Sequence, residues 1–251
     1  MKRFDGKNVL ITGTGGGMGR HAAIAFAREG AVVFGCDLKE EGNLETQARI
    51  AGEGGVMHAS QPVDLGDPDA AFTWVEGAVA KGGGIDILFN NASACRFAPF
   101  EDFAVEDWRW SMRNELDLVF YTTRAAWPHM MKTGGVVINT ASVAGMTGSG
   151  PGGAAHAATK GAIIALTKQL AAEGGPHHIR VNSISPGVIE TPGTAELLDN
   201  PLAQQALLER NLIKHIGTPE NITPVVLMLA SDDSAYMTGA NIVIDGGRTA
   251  W

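Results

Sequence analysis

An apolar run, Val9-Leu10-Ile11, leads directly into Thr12-Gly13-Thr14-Gly15-Gly16-Gly17-Met18-Gly19. The run reads as a buried parallel strand, and Ala22, Ala23, Ile24, Phe26 and Ala27 beyond it as a helix with an apolar face. A glycine-rich turn between strand and helix is a phosphate cradle. Backbone without side chains can approach a pyrophosphate closely, and the helix N-terminus offers free N–H groups to its charge. Glycine clusters also occur in ordinary turns, so the loop alone does not decide. Gly30 closes the helix, Ala31-Val32-Val33-Phe34-Gly35-Cys36 reads as a second strand, and Asp37 stands at its C-terminal end. About 20 positions past the glycines, a carboxylate accepts hydrogen bonds from an adenosine ribose. It would also repel a 2′-phosphate, so Asp37 favours NAD over NADP. The plainer alternative is a loop carboxylate or a helix N-cap.

Strand-like and helix-like segments alternate along the rest of the chain. A third strand is expected over Val56 to Ala59, a fourth over Ile85 to Phe89, a fifth over Val136 to Ile138, a sixth over Ile179 to Ile184 and a last over Asn241 to Ile244. Asp67-Pro68 reads as an N-cap and first-turn proline opening a helix to about Lys81. A long helical pattern runs from Val105 to Lys132 with a break near Met112, and further helices cover Ala155 to Ala172 and Pro219 to Ala230. Such alternation implies an α/β fold, a single doubly wound Rossmann domain with a mainly parallel sheet and helices on both faces. No linker, repeat or low-complexity segment interrupts it, so residues 1–251 read as one domain. Two irregular stretches, Ala144 to Ala154 and Gly187 to about Ile213, leave from strand ends, where they could wall a substrate pocket.

The formal net charge of −8 and the lack of a basic cluster argue against nucleic acid or an anionic membrane as partner. The first residues lack the apolar core of a signal peptide, and no apolar stretch is long enough to span a bilayer. Cys36 and Cys95 give no disulfide framework, which fits a reducing, cytoplasmic setting. No Cys/His cluster has metal-ligand spacing, so no metal is expected.

The chain resembles the classical short-chain dehydrogenases/reductases from end to end. Thr12-Gly13-x-x-x-Gly17-x-Gly19 is similar to that family's cofactor loop, and Asp64-Leu65 to its adenine-contacting pair. Asn90-Asn91-Ala92-Ser93 resembles its Asn-Asn-Ala-Gly signature, with serine in place of the glycine. Asn114, Ser142 and Lys160 match its helix asparagine, catalytic serine and catalytic lysine, and Pro186-Gly187-Val188-Ile189-Glu190-Thr191 its nicotinamide-side motif. The resemblance implies NAD held by Gly13, Gly17, Met18, Gly19, Asp37, Leu38, Asp64, Leu65, Asn91, Ala92, Lys160, Pro186, Gly187, Ile189 and Thr191. It implies a homotetramer as well, with the last-strand region joining subunits and the two long helices packing across an interface. Small-molecule secondary alcohols and ketones are the implied substrates.

One departure is central. The family motif is Tyr-x-x-x-Lys, and here it reads His156-Ala157-Ala158-Thr159-Lys160. Neither tyrosine of the chain can substitute: Tyr121 lies in the Asn114 helix and Tyr236 before the last strand. Hydride transfer from an alcohol needs a base for the hydroxyl proton, and the reverse needs an acid for the alkoxide. In the family the tyrosine fills both roles, the serine holds the substrate oxygen, and the asparagine helps place a water beside the lysine. Histidine can do this chemistry near neutrality. The positive charges of Lys160 and NAD⁺ would disfavour imidazolium, making His156 a better base than acid. Imidazole is shorter than phenol, so a bridging water would have to close any gap. The expected constellation is thus Asn114, Ser142, His156 and Lys160, in an NAD-dependent oxidoreductase. The alternative is an NAD-binding sensor or scaffold with weak or lost turnover. Cys95 reads as an inert buried thiol, while Arg96 offers a charge for a substrate carboxylate or simply a solvated surface group. The loops carry no charged cluster that selects among steroids, sugars, hydroxyacyl thioesters and small cyclic alcohols.

Overall fold

The computed structural model describes residues 2–148, 150 and 152–251; Ser149 and Pro151, inside the Ala144 to Ala154 stretch, lie outside the described residues. Seven strands form one sheet: β1 (Asn8–Thr12), β2 (Val32–Cys36), β3 (Val56–Ser60), β4 (Ile87–Asn90), β5 (Gly135–Thr140), β6 (Ile179–Pro186) and β7 (Asn241–Ile244). Their order is β3-β2-β1-β4-β5-β6-β7, and every pair is parallel.

Side chains alternate across the sheet, as the strand period of two requires. Val9 and Ile11, Ile87 and Phe89, and Val136 and Ile138 enter one apolar layer with Phe26 of helix α1 (Gly17–Arg28) and Val226 and Leu229 of a late helix, Pro219–Ala230. Leu10, Leu88 and Val137 enter the opposite layer. There they meet Trp74 of α3 (Pro68–Gly82), Ala126 of α5 (Leu118–Thr133) and Ile163 of α6 (Ala154–Gly174). Val9, Leu10 and Ile11 are wholly buried, each contributing on the order of 2 kcal/mol by leaving water. Both faces are covered, which is why β1 reads as an unbroken apolar run.

Helix boundaries follow local chemistry. The Asp67 side chain accepts from Asp69 N at 2.9 Å with Pro68 at the first helical position, as expected for α3, and Gly83 ends the helix in the left-handed region at φ 81°. The break expected near Met112 is a change of helix type rather than a gap. Helix α4 (Val105–Met112) runs through a π turn, Arg113–Asp117, into α5. Three helices were not anticipated: α2 (Glu40–Gly52) between β2 and β3, and α7 (Ala195–Leu198) and α8 (Pro201–Arg210) within the stretch after Gly187. The late helix is then α9 and lies where its sequence predicts, opened by a Thr218–Asn221 capping box.

The sheet order reverses between β1 and β4, and ligands of such sheets bind beyond the strand ends at that point. Thr12 ties the two ends together: its Oγ1 accepts from Asn91 N and Ala92 N, both at 2.9 Å.

Candidate active site

The glycine loop sits in this crevice. Gly13 and Gly17 adopt left-handed φ values of 75° and 51°, and a Cβ on Gly19 would lie 2.1 Å from Gly13 O, so helix α1 packs directly on the loop. A Cβ on Gly13 would meet Ala92 Cα at 2.9 Å, and one on Gly17 would meet Thr191 at 3.1 Å. The loop therefore lies between the Asn91-Ala92 segment and the Thr191 turn, three of the segments expected to hold a cofactor. Gly16 gives α1 no side-chain cap, and the first turn, with Met18 and Gly19, holds no acidic residue. Its N–H groups and partial positive charge are left for an anion. The Asn91 amide donates to Thr12 O at 3.0 Å, while its buried Oδ1 finds no partner among the described residues.

Asp37 folds back on the loop. Its Oδ2 accepts from Gly15 N and its Oδ1 from Lys39 N, each at 2.8 Å, with Leu38 exposed beside it. Arg20 of α1 is already engaged, donating to Gly15 O at 2.7 Å and Gly42 O at 3.0 Å and pairing with Glu45 at 2.8 Å. Asp64 pairs with Arg113 at 2.7 Å and caps Gly66 N. The Arg113 bond outweighs the cost of partial burial and draws the Asp64 carboxyl below the usual range. Leu65 puts its side chain into the core. On the far side, Gly187 N extends β6 by bonding Ile244 O, and the buried Ile189 bridges to Gly217. Thr194, which sequence reasoning missed, fixes this turn: its hydroxyl donates to Ile189 O at 2.6 Å and accepts from Thr191 N. These features fit a dinucleotide: an uncapped helix N-terminus, a loop where side chains find no room, and a carboxylate at the adjacent strand end.

The chemistry-bearing residues gather where β4, β5, the π turn and α6 meet. Ser142 lies just beyond β5 and caps the following turn, its Oγ accepting from Ala144 N at 3.1 Å. Its loop presses on α6, since a Cβ on Gly145 would lie 2.5 Å from the Lys160 carbonyl carbon. Lys160 is buried, with Nζ donating to Thr140 O at 3.0 Å and Ser93 Oγ at 3.1 Å. Burial pulls its ammonium below the usual lysine range, against the opposing charge of Glu115. Asn114 lies in the π turn, with Nδ2 donating to Trp110 O at 2.8 Å and its backbone carbonyl accepting from Ala94 N at 3.0 Å.

His156 does not stand alone. Its Nδ1 lies 2.9 Å from Glu115 Oε1 and 3.1 Å from Oε2, and the ring of Phe97 packs against it at 5.7 Å. The Glu115 side chain is 1% exposed, against 21% for His156. Ser93 Oγ donates to Glu115 Oε1 at 2.7 Å, Thr159 Oγ1 donates to Oε2 at 2.6 Å, and Lys160 Nζ stands 3.8 Å away. Burial alone would push this carboxyl up, but the His156 bond and the Lys160 charge hold it down at about 2. The positive charge expected around His156 is therefore offset by a carboxylate in contact with the ring. Sequence reasoning missed Glu115. Its one signal was an acidic residue directly after Asn114 in a helical pattern.

Among the described residues, one group of metal-ligating side-chain types comes together: Cys95, Glu115 and His156, with donor atoms within 4.8 Å of one another. Burial and the neighbouring Glu115 push the Cys95 thiol up to about 11, so it is protonated near neutrality. Arg96 is paired with Asp107 and stacked on Trp110 at 4.6 Å, hence not free for a substrate carboxylate. Tyr236 is fully exposed and Tyr121 packs at the edge of the core.

Fold and crevice together define a doubly wound protein whose glycine loop fits a dinucleotide. A family profile described as enoyl-(acyl carrier protein) reductase matches residues 13–249. Cyclopentanol dehydrogenase of Comamonas testosteroni is 37% identical over 251 residues, covering 100% of both chains. Meso-2,3-butanediol dehydrogenase of Serratia marcescens is 36% identical, covering 99% of this chain and 96% of its own. Among solved structures, a 7α-hydroxysteroid dehydrogenase complexed with NADH and 7-oxo glycochenodeoxycholic acid superposes with a TM-score of 0.93 at 30% identity, covering 98% of this chain and 95% of that one. The chain belongs to the classical short-chain dehydrogenase/reductase family. None of the described helices is long and apolar enough to cross a membrane.

Proposed function

We propose that this protein is an NAD-dependent oxidoreductase that interconverts a secondary alcohol and its ketone, with His156 as the acid/base. The observation that carries this reading is the Glu115–His156 pair at the family's tyrosine position, backed by Lys160. A histidine retained only as filler would not need a buried carboxylate at 2.9 Å. His156 takes the substrate hydroxyl proton in oxidation and returns it in reduction. Ser142 anchors the substrate oxygen, and Lys160 and Asn114 support the proton path. NAD, held by Gly13, Gly17, Met18, Gly19, Asp37 and the Asn91 and Thr191 segments, supplies hydride acceptance. The Asp37 carboxylate, which would repel a 2′-phosphate, and Arg20, whose charge is met by Glu45, favour NAD over NADP.

The substrate we assign is small and neutral. Phe97 is exposed beside His156, and the charge of Arg96 is met by Asp107. Relatives named for cyclopentanol and meso-2,3-butanediol support the same class. The chain is read as one catalytic domain, assembled as a homotetramer. A groove of about 600 Å³ along α5 and α6, lined by Phe120, Trp127, Leu166 and Leu170, suits the helix packing such an assembly needs. Cytoplasmic residence is part of the proposal, in keeping with free Cys36 and Cys95.

The test is NADH absorbance during incubation with NAD⁺ and a panel of cyclic and acyclic secondary alcohols, beside His156→Ala. Turnover lost in His156→Ala with NAD⁺ affinity intact supports the proposal. Tight NAD⁺ binding with no turnover on any alcohol supports the sensor or scaffold, and full turnover in His156→Ala refutes the histidine.

A further inference from the structure

We infer that Glu115 is a positioning residue that holds His156 as its Nδ1–H tautomer, leaving Nε2 as the atom that exchanges the proton with substrate. This rests on the reading of His156 as acid/base. Two positions depart from the family signature, Ser93 and His156, and both bond the same carboxylate: Ser93 Oγ at 2.7 Å and His156 Nδ1 at 2.9 Å. The π turn carries Glu115 inward beside Asn114, so that both residues are buried. A buried carboxylate is costly unless every acceptor site is met. Here Ser93, Thr159 and His156 meet them, and Lys160 balances the charge.

The chemistry follows from donors and acceptors. An ionised carboxylate only accepts, so Nδ1 must donate to it. In the neutral ring Nε2 then keeps its lone pair, and it makes no hydrogen bond among the described residues. During oxidation, Nε2 forms a bond to the hydroxyl proton as the O–H bond breaks. NAD⁺ held at the glycine loop would supply the hydride acceptor, so that the carbinol C–H bond breaks with its electron pair as the C=O bond forms. The imidazolium charge develops against Glu115, which stabilises it. Reduction runs these steps backwards, so His156 serves as acid as well as base.

A metal ion held by Cys95, Glu115 and His156 is the rival use of this cluster. It is disfavoured because both Glu115 oxygens are occupied and the Lys160 ammonium stands 3.8 Å away.

Long-range ¹H–¹⁵N NMR on histidine-labelled protein reads the tautomer directly, and Glu115→Ala, Glu115→Gln and His156→Ala are compared with wild type. Recorded at a pH where the ring is neutral, the wild-type spectrum is expected to show His156 protonated at Nδ1, a signature lost in Glu115→Ala. In that variant kcat falls roughly 100-fold or more while KM for NAD⁺ changes less than about threefold. Glu115→Gln keeps the fold without the charge, and its kcat falls at least about tenfold. A wild-type ring protonated at Nε2, or Glu115→Gln with wild-type kcat, overturns the inference. So does turnover that needs added zinc or is abolished by a chelator. Wild-type turnover in His156→Ala instead sinks the acid/base reading, whatever the tautomer.

Discussion

The Glu115 network predicts a specific dependence of stability on pH. Its carboxyl is held at about 2 against an ordinary 4.5, by His156, Lys160 and Thr159, despite burial that opposes ionisation. A depressed acid contributes stability that is complete above its unfolded value and is lost as pH falls through its folded one. Each tenfold change in acid strength is worth about 1.4 kcal/mol, so the interval from 4.5 to about 2 couples on the order of 3 kcal/mol to folding. The side chain is 1% exposed, so solvent screens this coupling little. The perturbation is Glu115→Gln, and the assay is urea unfolding of both proteins from neutral pH down to about pH 2. Other carboxylates destabilise both proteins in acid, and the difference between them isolates Glu115. From about pH 4.5 toward pH 2 that difference should shrink by on the order of 3 kcal/mol. Two curves that fall in parallel would show that Glu115 is not ionised at a depressed value, and the charge argument around His156 would fail with it.

Two further predictions concern the cofactor side. Asp37→Ala removes the carboxylate that caps Gly15 N, and the preference for NAD⁺ over NADP⁺, read as a ratio of kcat/KM values, should fall at least tenfold, about 1.4 kcal/mol. An unchanged ratio would remove Asp37 from cofactor selection. Gly19→Ala places a Cβ 2.1 Å from Gly13 O, so the loop and α1 must separate, and calorimetry should find NAD⁺ binding at least tenfold weaker. Wild-type affinity would show that the loop tolerates a side chain where the structure leaves no room.

The fold was legible wherever local chemistry and burial coincide. Asp67-Pro68 caps its helix in sequence as in structure, and the apolar runs Val9–Ile11 and Val136–Ile138 lie in strands buried on both faces. Helix α2 was missed because it buries mainly Asn43 and Thr46 with a single large apolar residue, Ile50, so its apolar period is faint. Helix α8 buries none of its side chains and is signalled only by Asn200, which caps Leu202 N and Ala203 N before Pro201 has opened a full turn. At the site, the family motifs locate Asn114, Ser142, His156 and Lys160, but the partners of His156 are set by tertiary packing. Glu115 lies 41 residues from it and Ser93 lies 67 from Lys160, and only the meeting of the π turn with α6 makes them neighbours. The charge around a site residue is a property of that meeting, and the sequence pattern shows Lys160 near His156 without showing the Glu115 carboxylate that faces both.

The central claim is that the imidazole of His156 moves the substrate proton, and chemical rescue tests it most directly. His156→Ala leaves a gap beside Glu115 and Phe97 where the ring stood. With a turned-over secondary alcohol and saturating NAD⁺, added imidazole should restore a saturable part of the lost rate while NAD⁺ affinity stays at the wild-type level. A His156→Ala protein that turns over at the wild-type rate without imidazole would contradict the account.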